Sequence, residues 1–147
     1  MTARPLILKP SERQPALNVV GTKVTVLSSG ADIPDQQITV QSGDAGTGPP
    51  PHSHEWDESF YVTKGQIRFV CGGETAMCPA GTFVHVPAGT VHAVSYGPDG
   101  GEMLEITGRG SHAVSMFTAL DGAIPPGPLD LERAIQVLAD NGVKVYR

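Results

Sequence analysis

The sequence predicts an all-β fold, a barrel or sandwich of short strands, with one short helix near the C-terminus. Short runs that alternate apolar or β-branched residues with polar ones recur between residues 22 and 107, and alternation with a period of two is typical of half-buried strands. The 18 glycines and 13 prolines are spread between short apolar runs, as in a turn-rich β protein and not as in a disordered chain. Many short strands at regular spacing favour a closed barrel or a sandwich.

The predicted strands alternate in this way and are bounded by clusters rich in glycine, serine, aspartate or proline. They are 22–27, 37–41, 66–71, 74–78, 82–86, 91–96 and 102–107. The turn between the last two strands is placed at residues 97–101, where the sequence reads Gly-Pro-Asp-Gly-Gly.

The strands 66–71 and 74–78 are expected to form a hairpin around Gly72-Gly73, because a two-glycine loop suits a tight turn. Pairing about that turn places Cys71 opposite Glu74 and Cys78 opposite Ile67. The two sulfur atoms are then out of register for a disulfide, and we expect free thiols in a reducing cytoplasm.

The pattern changes after residue 111. Apolar residues recur at helical spacing from Leu131 to Leu138, with Asp130 as the expected N-cap and Asn141-Gly142 as the expected end. Residues 143–146 are then expected to add an edge strand. The sequence predicts a single domain over residues 1–147, with N-terminal strands in 1–35, a barrel core in 36–108, and a loop, helix and edge strand in 109–147.

Four residues carry the chemical prediction: His52, His54, Glu58 and His92. Side chains two apart on a strand point to the same face, so His52 and His54 lie one pleat apart. Neutral imidazoles at that separation can share one cation, and a carboxylate a few residues further adds an oxygen ligand. The Pro87-Ala-Gly89 turn would bring His92 from a neighbouring strand to the same ion.

These two segments resemble the signature motifs of the cupin superfamily, G(X)5HXH(X)3-4E(X)6G and G(X)5PXG(X)2H(X)3N. Every fixed position is matched except the last, where Tyr96 stands in place of asparagine. The resemblance covers about residues 36–108 and is to the small single-domain type, closest in look to quercetin-dioxygenase-like cupins. It implies a double-stranded β-helix, the jelly-roll barrel of cupins, and a homodimer.

The expected metal ligands are His52, His54, Glu58 and His92, and the expected catalytic residues are Glu58 and Tyr96. The cofactor is a divalent ion, with Fe(II) or Mn(II) favoured and Ni, Co, Cu or Zn as alternatives, since affinity order and availability decide more than ligand type. A barrel whose metal site has lapsed is disfavoured because such sites lose a ligand, and none is lost here.

Three functions stay open. The leading hypothesis is a dioxygenase-like enzyme acting on an apolar or aromatic enol or catechol, with Glu58 leaving the metal to serve as base, as the quercetinase resemblance implies. An apolar substrate is expected because Phe60 and Val62 share the face of Glu58. The second is a redox-neutral metal-dependent isomerase or polyketide-type cyclase, and the third is a non-catalytic small-molecule binding protein.

Other side chains have weaker assignments. His85 and His112 are expected to be structural or solvated, and Trp56 is placed at the cavity mouth with a lid as one option. The polar residues Gln37, Thr39 and Gln41 either orient the imidazoles or face solvent.

The formal net charge of −5 comes with no basic cluster, so nucleic acid and anionic membranes are not expected partners. The proline-interrupted N-terminus does not resemble a secretory signal, and a cytoplasmic location is expected.

Overall fold

The structure, a computed structural model, describes residues 4–147. Residues 1–3, the start of the N-terminal segment discussed above, lie outside the described residues. The described chain forms a curled antiparallel sheet of nine strands with two helices near the C-terminus, so the predicted fold class is confirmed. The strands are β1 Leu17–Val19, β2 Thr22–Ser28, β3 Gln37–Gly43, β4 His52–Ser53, β5 Glu58–Cys71, β6 Glu74–Pro79, β7 Phe83–Val86, β8 His92–Thr107 and β9 Lys144–Val145, and the helices are α1 Ala113–Ala123 and α2 Leu131–Asp140.

The sheet is organised around two long strands, β5 and β8, which pair with each other from Glu58 opposite Thr107 to Cys71 opposite His92. On the other side of β8, its second half pairs with β3 and its first residue pairs with β4. Strands β6 and β7 pair with the two halves of β5. Both ends of the sheet therefore curl around one interior.

The predicted break at residues 97–101 is wrong in one respect, because β8 continues through it as one strand. Gly65 pairs with Gly101 and Ile67 pairs with Tyr96, so residues 97–100 bulge opposite Gln66 alone. Glycine is required here because a Cβ at either 97 or 101 would lie 2.9 Å from the Gln66 carbonyl oxygen. The glycines thus let β8 bend while staying paired.

The predicted hairpin is confirmed, with Cys71 opposite Glu74 and Cys78 opposite Ile67. Both cysteines are free thiols. The inner faces of β5 to β8 form the main core, since alternate residues on each strand point inwards. Its buried members are Phe60, Val62, Ile67, Phe69, Cys78, Val86, Val94, Tyr96 and Met103.

Helix α1 was not predicted, because residues 109–130 were expected to be a loop. Its apolar residues Ala113, Phe117 and Leu120 recur at helical spacing and are buried. Its N-terminal residue His112 provides no side-chain cap. Ser111 Oγ accepts a hydrogen bond from the Ala113 N–H at 3.0 Å, and Gln37 Oε1 accepts one from the Val114 N–H at 2.9 Å, so part of the cap comes from a distant strand.

Helix α2 agrees with the prediction. Asp130 is the N-cap, and its carboxylate accepts a hydrogen bond from the Arg133 N–H at 3.1 Å. The predicted edge strand is present as β9, which pairs with β4. Within the described part of the chain, neither helix has the length and apolar character needed to cross a bilayer.

The two helices pack on each other and on β1, and form a cap over one opening of the barrel. One apolar cluster joins Val24 to Ala113 and Phe117 of α1. A second cluster joins Leu120 of α1 to Ala134 of α2. The cap is therefore held to the barrel by apolar burial, the main favourable term in folding.

Candidate metal centre

The structure brings the three histidines together through pairing of the strands that carry them. His52 on β4 lies directly opposite His92 on β8. His54 follows β4, and Glu58 begins β5. Residues 54–57 form a short connection that turns the chain between these two strands and keeps both side chains on the inside.

The turn before His92 is bound to that connection by two hydrogen bonds. The Gly89 N–H donates to the His54 carbonyl oxygen at 2.8 Å, and the Ala88 N–H donates to Asp57 Oδ1 at 2.9 Å. Gly89 has a φ of 82°, a backbone conformation that favours glycine. The second motif is thus positioned against the first by its own turn.

Each histidine has its Nδ1 bound to a backbone carbonyl two residues away. His52 Nδ1 lies 2.9 Å from the Pro50 oxygen, His54 Nδ1 lies 3.0 Å from the Trp56 oxygen, and His92 Nδ1 lies 2.9 Å from the Thr90 oxygen. A carbonyl only accepts, so Nδ1 carries the proton as donor and the Nε2 lone pair remains available. This is how metal-binding histidines are commonly oriented in proteins.

The candidate ligand atoms of the three histidines lie within 4.8 Å of one another. Glu58 Oε1 lies 3.2 Å from His54 Nε2 and 3.0 Å from His92 Nε2, while His54, Glu58 and His92 are each at most 5 % exposed. Three imidazole nitrogens and one carboxylate are a suitable donor set for a divalent first-row metal. The residues present therefore fit the cofactor that the sequence predicted.

The electrostatics of the cluster are dominated by burial and by Glu58. Burial, together with the nearby His92, lowers the pKa of His52 to about 4, so this ring is neutral near pH 7. Burial alone would lower the pKa of His92, but hydrogen bonding to Glu58 and its charge raise it. Burial alone would raise the pKa of Glu58, but the neighbouring Glu105 carboxyl and the His54 and His92 rings lower it well below its usual range.

Glu105 is a site residue that sequence reasoning missed. It is 3 % exposed, and burial and the neighbouring Glu58 carboxylate raise its pKa well above the usual range. The signal was available, since Met103, Glu105 and Thr107 alternate on the inner face of β8, where a charged residue is unusual. Glu105 and Glu58 form a buried carboxyl pair beside the histidines.

The predicted polar residues of β3 contact Glu105 and not the imidazoles. Thr39 Oγ1 donates to Glu105 Oε1 at 3.0 Å, and Gln41 Nε2 donates to Thr39 Oγ1 at 3.2 Å. Gln37, in contrast, binds Ser111 and the start of α1. Two of the three residues thus support the carboxyl pair, and the third caps a helix.

Trp56 does not lie exposed at the mouth as a lid. It is 4 % exposed and stacks on the His54 ring, with centroids 4.3 Å apart and an interplanar angle of 8°. His112 is exposed and meets the edge of Trp56 at 5.7 Å. His85 is exposed and bound to Ser59 at 2.9 Å, away from the cluster.

A cavity of about 180 Å³ extends from the histidines to the helical cap. Its polar lining includes the titratable residues His52, His54, Glu58 and Glu105 together with Thr22 and Gln41, and most other lining residues are apolar. Phe60 lines this cavity as predicted, while Val62 is buried in the core behind it. The cavity has a polar end at the strands and an apolar end at the helices.

Tyr96 also lines the cavity and is 3 % exposed. A Cβ at Gly43 would lie 2.5 Å from its ring, so the ring rests on the Gly43 backbone. Burial and the nearby Glu105 raise the pKa of Tyr96, and its hydroxyl stays protonated. Thr22 lies near the hydroxyl, but Tyr96 Oη has no partner in hydrogen-bond geometry among residues 4–147.

Fold and site together define a small β-barrel with a candidate metal centre at one end of an apolar cavity. Residues 36–107 match the family model described as Cupin domain. This segment is a cupin domain, and the match and the fold together place it in the cupin superfamily. Comparison with curated proteins gave no match.

Three solved structures illustrate what this chain is similar to. An RmlC-like cupin from Shewanella frigidimarina has a TM-score of 0.65 at 17 % identity, with 77 % of this chain and 99 % of that chain covered. KdgF from Halomonas sp. has a TM-score of 0.62 at 23 % identity, with 72 % and 96 % covered. The polyketide cyclase RemF from Streptomyces resistomycificus has a TM-score of 0.61 at 21 % identity, with 71 % and 80 % covered. At these identities the likeness establishes the fold alone.

Proposed function

We propose that this protein is a metal-dependent enzyme acting on an apolar small molecule, with dioxygenase-like chemistry on an aromatic enol or catechol as the leading reaction. The observation that carries the proposal is a group of three histidines in the lining of an apolar cavity, with the Glu58 carboxylate in contact with two of them. An apolar cavity with a few convergent polar groups is the usual form of a small-molecule site.

The ion would be held by His52, His54, Glu58 and His92. A divalent metal with open coordination positions polarises a bound oxygen of the substrate and, for Fe(II) or Mn(II), allows reaction with dioxygen. Binding requires the histidines to be neutral, and the carbonyl bonds at Nδ1 already orient all three Nε2 atoms. Hydrogen bonds to the local backbone therefore hold these three nitrogens in the orientation that metal binding needs.

Glu58 and Tyr96 are the proposed catalytic residues. The Glu58 carboxylate lines the cavity and would accept the proton of an enol or catechol hydroxyl as general base. Glu105 neighbours Glu58 and accepts a hydrogen bond from Thr39, and it would keep the Glu58 carboxylate oriented. Tyr96 lines the same cavity, and its hydroxyl would donate to a substrate oxygen.

A redox-neutral cyclisation or isomerisation is the second candidate. The observation that favours it is the presence of two neighbouring buried carboxyls, Glu58 and Glu105, both of which line the cavity. One group can remove a proton and the other return it, with no net oxidation. The similarity to the polyketide cyclase RemF agrees with this candidate. A non-catalytic binding protein is the third.

One experiment separates the three. Protein purified without added metal is subjected to elemental analysis, and oxygen consumption is then followed with catechols and flavonols. Oxygen uptake with stoichiometric product supports the oxygenase, product without oxygen uptake supports the cyclase or isomerase, and saturable binding without product supports the binding protein. Absence of any divalent metal, with no uptake on adding one, would contradict all metal-dependent versions.

Homodimerisation, a cytoplasmic location and a specific likeness to quercetin dioxygenases stay predictions. Sedimentation of the purified protein tests the first.

A further inference from the structure

We propose that Trp56 and Tyr96 are the hydrogen-bond donors that select the substrate, and that they recognise oxygen acceptors at two separate positions on a flat, uncharged, largely apolar ring system. The inference rests on the proposed function only in using the same cavity, because it concerns recognition and not the reaction.

The first observation is that both donors are buried and unpaired. Trp56 is 4 % exposed and Tyr96 is 3 % exposed, and neither Trp56 Nε1 nor Tyr96 Oη has a hydrogen-bond partner among the described residues. Buried polar groups in folded proteins are almost always paired, because an unpaired one keeps its full cost of desolvation. Two such groups need a physical explanation.

The second observation is that both side chains line the same cavity. The third unpaired buried group in residues 4–147, the hydroxyl of Ser28, lies at a register shift of β2 and does not line it. A ligand that enters the cavity can therefore pair with the two aromatic donors and not with Ser28. The unpaired groups coincide with the place where a ligand binds.

The chemistry of the two groups defines what they bind. An indole N–H only donates, and the buried Tyr96 hydroxyl stays protonated as a donor. The complementary groups on a ligand are acceptor oxygens, such as carbonyl, ether or phenolic oxygens. Anionic ligands are disfavoured, because no lysine or arginine lines the cavity within the described chain, while Glu58 and Glu105 do.

The positions of the donors set the spacing of the acceptors. The indole of Trp56 stacks on the His54 ring, so this donor belongs to the part of the cavity lining next to the candidate metal centre. Tyr96 is four residues along β8 from His92, which corresponds to about 13 Å between their Cα atoms. The ring of Tyr96 is fixed against Gly43. The two donors thus come from different elements of the fold, and the proposal assigns them different oxygens of the bound molecule.

The size of the cavity agrees with a ring system. An apolar cavity of about 150 Å³ accommodates benzene, and this one measures about 180 Å³. The exposed residues Pro49 and Leu131 also line it, so it reaches the surface between the loop before β4 and the start of α2. A bicyclic ligand can thus enter with one ring inside.

The test compares two bicyclic probes by isothermal titration calorimetry, chromone with a carbonyl and a ring oxygen, and naphthalene with none. We expect chromone to bind more tightly than naphthalene. Tyr96→Phe and Trp56→Phe should each weaken chromone binding by about five- to tenfold, the value of one hydrogen bond, and should leave naphthalene binding unchanged. Tyr61→Phe is the matched control, because Tyr61 is 46 % exposed.

Chromone binding no tighter than that of naphthalene, including no binding of either, overturns the proposal. Equal loss for both probes also overturns it, because the two side chains would then act through packing alone. Unchanged chromone affinity in both variants also overturns the proposal, since the donors would then be paired with solvent in the complex.

A second measurement tests the premise without any ligand. Tyr96→Phe keeps the ring and removes an unpaired hydroxyl, so the thermal midpoint of the ligand-free protein should rise by about 2–4 °C. A lowered midpoint would mean that the hydroxyl is paired in the folded protein, and would contradict the premise. Trp56 is the only tryptophan in the sequence, so its fluorescence reports folding and cavity occupancy in this variant.

The outcome is separable from that of the proposed function. Metal content and oxygen uptake are measured on the same wild-type and variant preparations. Selective chromone binding without metal or turnover would support the donor role of Trp56 and Tyr96 and contradict the proposed enzyme activity. Metal-dependent turnover with unchanged probe binding in both variants would support the enzyme activity and contradict the donor role.

Discussion

The strands that carry the histidines and the helices that cover them are held in different ways. Each of the three clustered histidine rings is fixed by a carbonyl two residues away, at Pro50, Trp56 or Thr90. The helical cap is fixed by side chains distant in sequence, such as Gln37 on β3, which caps α1, and Asp121 of α1, which accepts the Asn18 N–H at 2.7 Å.

This difference indicates a division of tasks within one cavity. The polar end depends on short-range contacts and can retain its geometry when the cap changes. The apolar end depends on tertiary packing between α1, α2 and β1, and changes there should affect stability and substrate choice before they affect metal binding. Four substitutions test this division.

The largest effect is expected for His54→Ala. It removes one of three clustered imidazoles, so metal content should fall from stoichiometric to background while the barrel stays folded, since the core consists of apolar strand faces. Elemental analysis and circular dichroism measure the two properties. His85→Ala is the control, because His85 is exposed and lies outside the cluster. Unchanged metal content in His54→Ala would remove this residue from the ligand set.

Glu58→Gln should retain part of the metal but lose the anionic base, lowering the turnover number by about 10²- to 10⁴-fold. Steady-state kinetics with the substrate found above measure it. Glu55→Gln is the matched control on the exposed side of the same connection. Turnover equal to that of the control would exclude Glu58 as base.

Leu120→Ala should destabilise the helical cap formed by α1 and α2 without affecting metal binding. Leu120 is 2 % exposed and packs between α1 and α2, so its loss should lower the free energy of unfolding by about 2–5 kcal/mol. Urea denaturation measures this, with Leu6→Ala as the control because Leu6 is 48 % exposed. Loss of metal at temperatures where Leu120→Ala is folded would contradict the division of tasks.

The smallest effect is expected for Asp130→Ala, which removes the N-cap of α2. Its carboxylate accepts the Arg133 N–H, and loss of such a cap costs about 1 kcal/mol. The same denaturation measurement applies, with exposed Asp99→Ala as the control. A change indistinguishable from the control would show that the cap bond does not stabilise α2 in the folded protein.

Several features could be predicted because they depend on residues close in sequence. The hairpin register at Cys71 and Cys78 follows from the Gly72-Gly73 turn, and helix α2 follows from Asp130 and the apolar spacing behind it. The spacing of His52 and His54 predicted that both side chains would face inwards, and their rings lie 5.8 Å apart. In each case a local rule, strand alternation or helix capping, is not overridden by contacts with distant segments.

Other features depend on contacts between distant segments. The N-cap residue of helix α1, His112, makes no side-chain cap bond, and the Val114 N–H is bound by the distant Gln37, so the start of the helix was not predicted from local residues. Trp56 is stacked on His54 only because the chain turns sharply between β4 and β5. Glu105 becomes part of the site because β8 pairs with β3 and β5 on its two sides.

The sequence by itself determined the all-β class, the inward direction of the four predicted ligands and the position of α2, because strand and helix periodicity and turn chemistry act over a few residues. Only the tertiary structure decided that a second carboxyl joins Glu58, that β8 bends without a break, and that two helices close an apolar cavity over the histidines. Those features arise from burial and strand pairing between segments far apart in the chain. The free energy of these long-range contacts cannot be inferred from a local sequence pattern.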